Sequence, residues 1–391
     1  MQKIEFNEIT AEYPDLLVIA GEYSGDEHGA ALVKKLKIEY PQYRVCAIGG
    51  NNLERTGVDF LFNLVEFSVV GIAEVLRNIQ FFSKILKMIC DWITKYRPKV
   101  VCFIDFPGLN LRIAKELYQR GISHKAGGNV KLYHYISPQI WAWKAKRRFV
   151  IAKYIDALGT IFHFEKACYG DTNLDVQFLG HPFLDEGYAL PVNYNPNGPI
   201  LLLPGSRKIA VKKIFPIMLN TINQLKKFGE TCELVALYPD EDILEVLQNI
   251  YKKHKNLSLS FVRSGACTLS ACASLMSSGT MALNCALAGI PSVIVYKAST
   301  LTYGLAKLLV KVKFLHIANI LLNRESAREF LQFSAKPKLI CHALRDCLNN
   351  PEVLAQAQKD KEELRQLLSS DPQNDAISWI RGAFGLRAAR P

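Results

Sequence analysis

Residues 199–208, Pro-Ile-Leu-Leu-Leu-Pro-Gly-Ser-Arg-Lys, constrain the fold of this chain more than any other stretch. Ile200 to Leu203 is short and wholly apolar, the pattern of a parallel-sheet strand buried on both faces. Pro204-Gly205-Ser206 ends the run. Ile209, Ile214, Ile217, Leu219 and Ile222 then recur among lysines, as on an amphipathic helix. Strand, glycine-serine turn and helix together aim free backbone N–H groups and a positive helix end at an anion. Arg207 adds a planar guanidinium suited to phosphate. An ordinary strand-to-helix turn with a surface arginine would read the same. A second turn, Ser277-Ser278-Gly279-Thr280, precedes the small-residue segment 281–288, and residues 292–296 read as another strand. Two hydroxyl-rich turns of this kind suggest a nucleoside diphosphate gripped at the carboxyl edge of a parallel sheet.

The first half has the same rhythm. Residues 16–20, 45–48, 99–104 and 131–136 are strand-like, with helical patterns between them. The chain therefore reads as α/β with mostly parallel sheets. Its 391 residues suggest two domains, with the Pro/Asn/Gly-rich stretch 191–198 as linker. We divide it into a first Rossmann-like domain over 1–190, a second over 199–350, and C-terminal helices over 351–391 that pack back on the first.

Candidate chemistry sits at the strand ends. Gly21-Glu22-Tyr23-Ser24-Gly25-Asp26 follows the first strand, and its carboxylates suit sugar hydroxyls better than phosphate. Asp105 directly follows the third strand, where it is either a general base or a helix cap. His181 follows a strand and Gly180, as a substrate contact or a turn residue. Ser137-Pro138-Gln139-Ile140-Trp141-Ala142-Trp143 is rich in aromatics, with a basic cluster behind it. It suits a sugar ring or acyl chain, or makes a packed corner.

Net charge is +12, which admits phosphorylated substrates, anionic membranes or nucleic acid. No nucleic-acid-binding motif is present. Ten cysteines form no Cys-x-x-Cys pair, so neither a zinc nor a redox site is expected, and no cofactor. No apolar run is long enough to cross a bilayer, and residues 1–6 lack the features of a signal peptide, so a cytoplasmic protein is expected. Between 77 and 98, Ile79, Phe82, Leu86, Ile89 and Ile93 form one helical stripe, and Phe81, Ile85, Met88 and Trp92 an adjoining one. Either the helix is sandwiched in a core, or it rests on a membrane or acyl chain. Residues 301–314 carry the same pair of readings.

Taken in order, the motifs resemble the lipid-A-disaccharide synthase family. They are Gly21-Glu22-x-Ser24-Gly25-Asp26, Gly49-Gly50, Val70-Gly71-Ile72-x-Glu74-Val75-Leu76, Ile104-Asp105-x-Pro107 and Ser137-Pro138-Gln139-x-Trp141-Ala142-Trp143. Then come Phe164-Glu165 to Tyr169, Gly180-His181-Pro182, Leu203-Pro204-Gly205-Ser206-Arg207, Ser278-Gly279-Thr280, Tyr296-Lys297, Asn319-Ile320-Leu321 and Glu329-x-Leu331-Gln332. The resemblance implies two Rossmann-like domains of the glycosyltransferase-B type with the active site in the cleft between them. It implies a hexosyltransferase joining UDP-2,3-diacylglucosamine to 2,3-diacylglucosamine 1-phosphate (lipid X), giving a β-1,6 disaccharide 1-phosphate and UDP. UDP would be held by Gly205, Ser206, Arg207, Ser278, Gly279, Thr280, Asn284, Asn319, Glu329 and Gln332. The acceptor would meet Ser24, Asp26, Ser137, Gln139, Trp141, Trp143 and His181. Its acyl chains would meet Val70, Ile72, Val75, Leu76, Ile79 and Phe82. Asp105 is the expected base, with Glu22 beside it and Arg207 on the leaving diphosphate, and no metal.

Three positions depart from the family pattern. Ala210 and Asn284 stand where glutamates are usual, and Ala318 where proline is. Asn284 can still hydrogen-bond a hydroxyl, without charge assistance. Two other classes remain at this point: a UDP-sugar epimerase or hydrolase on the same plan, and a non-catalytic lipid- or nucleotide-binding relic. The expected location is the cytoplasmic face of the inner membrane, peripherally bound to its anionic surface. A homo-oligomer is left open.

Overall fold

The structure, a computed structural model, describes residues 5–9, 13–68, 79–254, 256–297, 313–371 and 374–385. It divides into two compact units, Met1–Pro182 with Ser370–Pro391, and Phe183–Ser369. The division falls before the 191–198 stretch. That stretch is no free linker, because Val192 is buried and pairs in a short ribbon. The polar helix beginning at Pro351 belongs to the second unit, and only the chain from Ser370 onward belongs to the first.

The first unit runs β1 (Leu16–Ala20), α1 (Tyr23–Glu39), β2 (Val45–Gly49), α2 (Asn51–Glu54), β3 (Asp59–Asn63), α3 (Val65–Ser68) and α4 (Ile79–Tyr96). It continues with β4 (Val100–Ile104), α5 (Pro107–Gln119), β5 (Lys131–Tyr135), α6 (Arg147–Tyr154), β6 (Ala157–Thr160) and β7 (Asp175–Phe178). The sheet is parallel, in the order β3-β2-β1-β4-β5-β6-β7. β1 and β4 are buried at every residue, which explains their unbroken apolar sequences.

α4 packs Ile85, Ile89 and Ile93 into the same core as Leu17, Ile19 and Phe103. This part of the apolar stripe is thus core rather than membrane surface. Phe82 is half-buried, edge-on to Phe81 at 5.7 Å. Val70, Ile72, Val75 and Leu76 lie outside the described residues, as do 301–312.

The second unit runs β8 (Val192–Tyr194), β9 (Ile200–Leu203), α7 (Lys208–Lys227), β10 (Leu234–Tyr238), α8 (Glu241–Tyr251), β11 (Ser260–Arg263), β12 (Leu269–Ala271) and β13 (Ala273–Met276). Then come α9 (Thr280–Leu287), β14 (Ser292–Tyr296), α10 (Ile317–Leu322), β15 (Arg328–Leu331), α11 (Pro337–Asn349) and α12 (Pro351–Leu368). Its parallel sheet is ordered β11-β10-β9-β13-β14-β15, and β12 and β8 pair separately. The last helix, α13 (Ala376–Ala383), returns to the first unit. Trp379 packs on Tyr133 at 4.8 Å, and the Lys131 ammonium donates to the Ala383 carbonyl at 2.7 Å.

Both sheets reverse direction beside their first strand, between β1 and β4 and between β9 and β13. At such a switch point neighbouring connections leave on opposite faces and open a crevice at the carboxyl ends. Register sets Ala20 beside Ile104, and Leu203 beside Met276. The residues that follow, Gly21 and Asp105 in one unit and Pro204 and Ser277 in the other, therefore stand at matching heights.

Candidate active site

In the first unit the turns after β1 and β4 interlock. Asp105 and Phe106 both have left-handed backbone, φ +45° and +46°. The Phe106 ring lies so close over Gly21 that a Cβ there would sit 2.1 Å from it. Gly21 is the residue that makes this approach possible. Two hydrogen bonds hold the strained turn. The Asp105 N–H donates to the Tyr135 carbonyl at 2.9 Å, and the Asn110 amide donates to the Asp105 carbonyl at 2.7 Å. A third left-handed residue, Ile136 at φ +69°, ends the neighbouring β5. Such a backbone costs about 1–3 kcal/mol per residue and collects at functional sites.

The turn leaves Asp105 half-buried. Burial first, then the negative charge of Glu22, pushes its pKa up to about 6, against a weaker pull from the Phe106 N–H. Glu22 is exposed at the start of α1, and no side chain caps that helix. A carboxylate with a raised pKa at a switch point has the chemistry of a candidate general base.

A second buried acid lies nearby. Glu165 is 1% exposed, and burial pushes its pKa up to about 8, with Asp105 adding to the rise. Its carboxyl accepts from the Trp141 indole N–H at 3.1 Å and from the Phe162 N–H at 3.3 Å. Glu165 belongs to one of the quoted motifs, but its sequence neighbours gave it no role. The signal was a glutamate directly after the aromatic pair Phe162 and Phe164, whose rings stack 5.8 Å apart. Ser137, 4% exposed, meets the Tyr169 hydroxyl at 2.9 Å and fixes the start of the aromatic loop. Gln139 is exposed, and Trp143 is 45% exposed. His181 and His28 are both buried. Burial, with His28 adding to it, lowers the pKa of His181 to about 3, and burial lowers that of His28 to about 4, so both rings are neutral.

Asp26 differs from expectation. It is 1% exposed, and its carboxylate accepts from the N–H groups of Gly50, Asn52 and Leu53 at 2.7, 2.9 and 3.1 Å. It anchors the Gly49-Gly50 turn and the start of α2. Ser24 lies half-buried in the first turn of α1.

In the second unit the two predicted phosphate turns meet. Gly205 has φ +103°, and a Cβ there would lie 2.9 Å from the Ser277 hydroxyl oxygen. Ser206 and Arg207 are exposed. Arg207 begins α7 and Gly279 begins α9, and neither end has a side-chain cap. Uncapped first-turn N–H groups at both helices suit an anion. Gly279 and Thr280 are exposed, and the Ser278 hydroxyl donates to the Leu315 carbonyl at 3.1 Å. Lys208 pairs with Asp242 at 2.9 Å.

Other expected donor contacts have structural partners. Asn319 is fully buried. Its amide donates to the Ala327 carbonyl at 2.8 Å and to Glu329 at 2.9 Å, and its oxygen accepts from the Ala327 N–H at 2.9 Å. Glu329 also accepts from the N–H groups of Leu315 and His316, both within 2.9 Å, and so fixes the backbone that leads into α10. The pair builds the loop below the site. Asn284 is 2% exposed, with the Tyr188 hydroxyl donating to it at a long 3.4 Å. Gln332, left-handed at φ +52° at the end of β15, has a buried side-chain amide nitrogen with no hydrogen-bond partner among the described residues. No cluster of metal-ligating residues occurs among the described residues.

The chain matches over residues 16–381 a family described as lipid-A-disaccharide synthetase. It is 34% identical to lipid-A-disaccharide synthase 1 of Legionella pneumophila (strain Lens), covering 91% of this chain and 93% of that protein. Among solved structures it resembles the UDP-GlcNAc 2-epimerase of Neisseria meningitidis bound to UDP-GlcNAc, with TM-score 0.61, 10% identity, and 95% and 100% of the two chains covered. It also resembles a glycosyltransferase from Rickettsia africae, with TM-score 0.51, 11% identity, and 91% and 94% covered. At these identities the structures attest the fold alone, so the resemblance to an epimerase does not select that chemistry.

Proposed function

The chain belongs to the lipid-A-disaccharide synthetase family, and from that membership we propose how its residues divide the work of forming the disaccharide. It is a hexosyltransferase that joins UDP-2,3-diacylglucosamine to 2,3-diacylglucosamine 1-phosphate and releases UDP. The second unit binds the diphosphate. Gly205, Ser206, Gly279 and Thr280 offer backbone N–H groups at the starts of α7 and α9, and Arg207 carries the charge that develops on the leaving group. Asn284 hydrogen-bonds the nucleotide sugar without charge assistance, and the unpartnered Gln332 amide donates to an acceptor atom of the donor.

The first unit binds the acceptor. Asp105 takes the proton from the attacking hydroxyl as the new bond forms at the donor's anomeric carbon and the bond to diphosphate breaks. One displacement inverts that carbon, so no covalent enzyme intermediate is required. Glu22 raises the basicity of Asp105, and Gln139, Trp141 and Trp143 contact the sugar. Ser137 and His181 support that loop from within the core. The carrying observation is the strained, half-buried Asp105 beside Glu22, with its pKa moved up to about 6.

Both substrates bear acyl chains, so the enzyme meets them at a bilayer. No helix among the described residues is long and apolar enough to cross a membrane. On this reading the protein works peripherally at the cytoplasmic face of the inner membrane, and residues 69–82, most of them outside the described residues, supply the acyl-chain contacts.

Asp105→Asn tests the assignment. Turnover should fall about 10²–10⁴-fold while UDP affinity, measured by calorimetry, stays the same. Near-normal turnover would move the base to Glu22.

A further inference from the structure

Helix α6 is apolar on two sides. Ile151, Ala152 and Tyr154 are buried in the core. Lys146, Phe149, Val150 and Lys153 follow the i, i+3, i+4, i+7 spacing of a single helix face. All four are exposed, Phe149 by 49% and Val150 by 43%. A surface helix ordinarily turns polar residues outward, so an exposed apolar pair between two lysines calls for a partner. Trp143, ahead of the helix, is 45% exposed and extends the patch. Lys144 lies 4.3 Å and Arg147 5.7 Å from its ring centre. Asp171, the acid beside this surface, is already paired with Arg148 at 2.6 Å. A groove of about 430 Å³ next to Phe149 is lined in part by Lys125, Lys153, Thr172 and Asn173.

We propose that this face of α6 rests on an anionic bilayer, with Phe149 and Val150 entering the interface and Lys146 and Lys153 meeting headgroup phosphates. Charge selects the occupant. A second copy of the chain docking through the same patch would set these lysines against themselves, whereas an anionic leaflet complements them. Interfacial binding of this kind combines apolar insertion with attraction to acidic lipid. The inference rests on the reading that the enzyme works at a membrane, and adds a contact surface made by other residues than 69–82.

Flotation of the full-length protein with phosphatidylcholine vesicles, with and without phosphatidylglycerol, tests it. The natural protein should float mainly with the phosphatidylglycerol vesicles. Phe149→Ser/Val150→Ser and Lys146→Gln/Lys153→Gln should each bind them about tenfold more weakly. The first variant should keep its melting temperature and its turnover on detergent-dispersed substrates. If it melts early, the lysine variant decides alone. Natural protein that does not float would overturn the membrane reading and this surface with it. Floating natural protein with unimpaired variants would overturn only the α6 surface. So would variants that lose self-association in sedimentation while floating normally.

Discussion

At the scale of single residues, environment separates carboxylates that look alike in sequence. Glu22 and Asp26 share one turn, yet Glu22 is exposed and Asp26 is bound by three backbone N–H groups. Asp26→Ala would leave those donors without their charged acceptor. We expect a stability loss of about 2–3 kcal/mol by denaturant unfolding. A merely acceptor-binding Asp26 would raise the KM and leave stability alone. Asp105, with its pKa raised to about 6, should give kcat/KM an acid limb near that pH, because a protonated base cannot accept. A limb near the ordinary 3.8 would contradict the burial described. Glu165 makes a separate prediction. Its pKa is raised from 4.5 to about 8, so the folded state holds a proton that the unfolded state releases. The stability this contributes is full below about pH 4.5 and is lost as pH rises towards 8. Glu165→Gln stays neutral, so the natural protein's melting temperature should fall relative to this variant across that window. Parallel melting curves would mean Glu165 is ionised when folded. None of these differences is legible in sequence, because each depends on which backbone donors and neighbours a carboxylate meets after folding.

At the scale of elements, sequence reading did best where strands are buried on both faces. Ile200–Leu203 lies as expected, and the turn after it meets the Ser277 turn at the switch point. β3, with Asp59 and Asn63 at its ends, and β6, which contains Gly159, lack that signal. A Cβ at Gly159 would lie 2.4 Å from the tip of the Leu179 side chain, a contact that only packing reveals. The apolar arc of α4 was ambiguous for the opposite reason, since a core face and an insertion face share one periodicity. The uncapped start of α7 carries its own test. Arg207→Ala should weaken UDP binding by about 1.5–3 kcal/mol in calorimetry, the size of a lost charge-assisted hydrogen bond. Unchanged affinity would place the anion elsewhere, with Lys212 the next residue to replace, because Lys208 is paired with Asp242.

At the scale of the whole molecule, the second unit is one continuous insertion, Phe183–Ser369, within a first unit closed by its own C-terminal helix. A Pro/Asn/Gly-rich stretch suggested a different boundary, since composition does not tell a paired ribbon from a linker. A continuous unit with its own core should fold alone. Fragment 183–369 should unfold cooperatively and bind UDP within about tenfold of the full chain. A fragment without a cooperative transition would mean the units depend on each other to fold. Ala210 and Asn284 stand where the family pattern carries glutamates in the proposed donor half, so the reaction itself is the test of the central claim. The most direct measurement incubates purified protein with UDP-2,3-diacylglucosamine and 2,3-diacylglucosamine 1-phosphate and quantifies both products. Disaccharide 1-phosphate and UDP should appear in equal amounts. UDP without disaccharide, or neither product, would contradict the account.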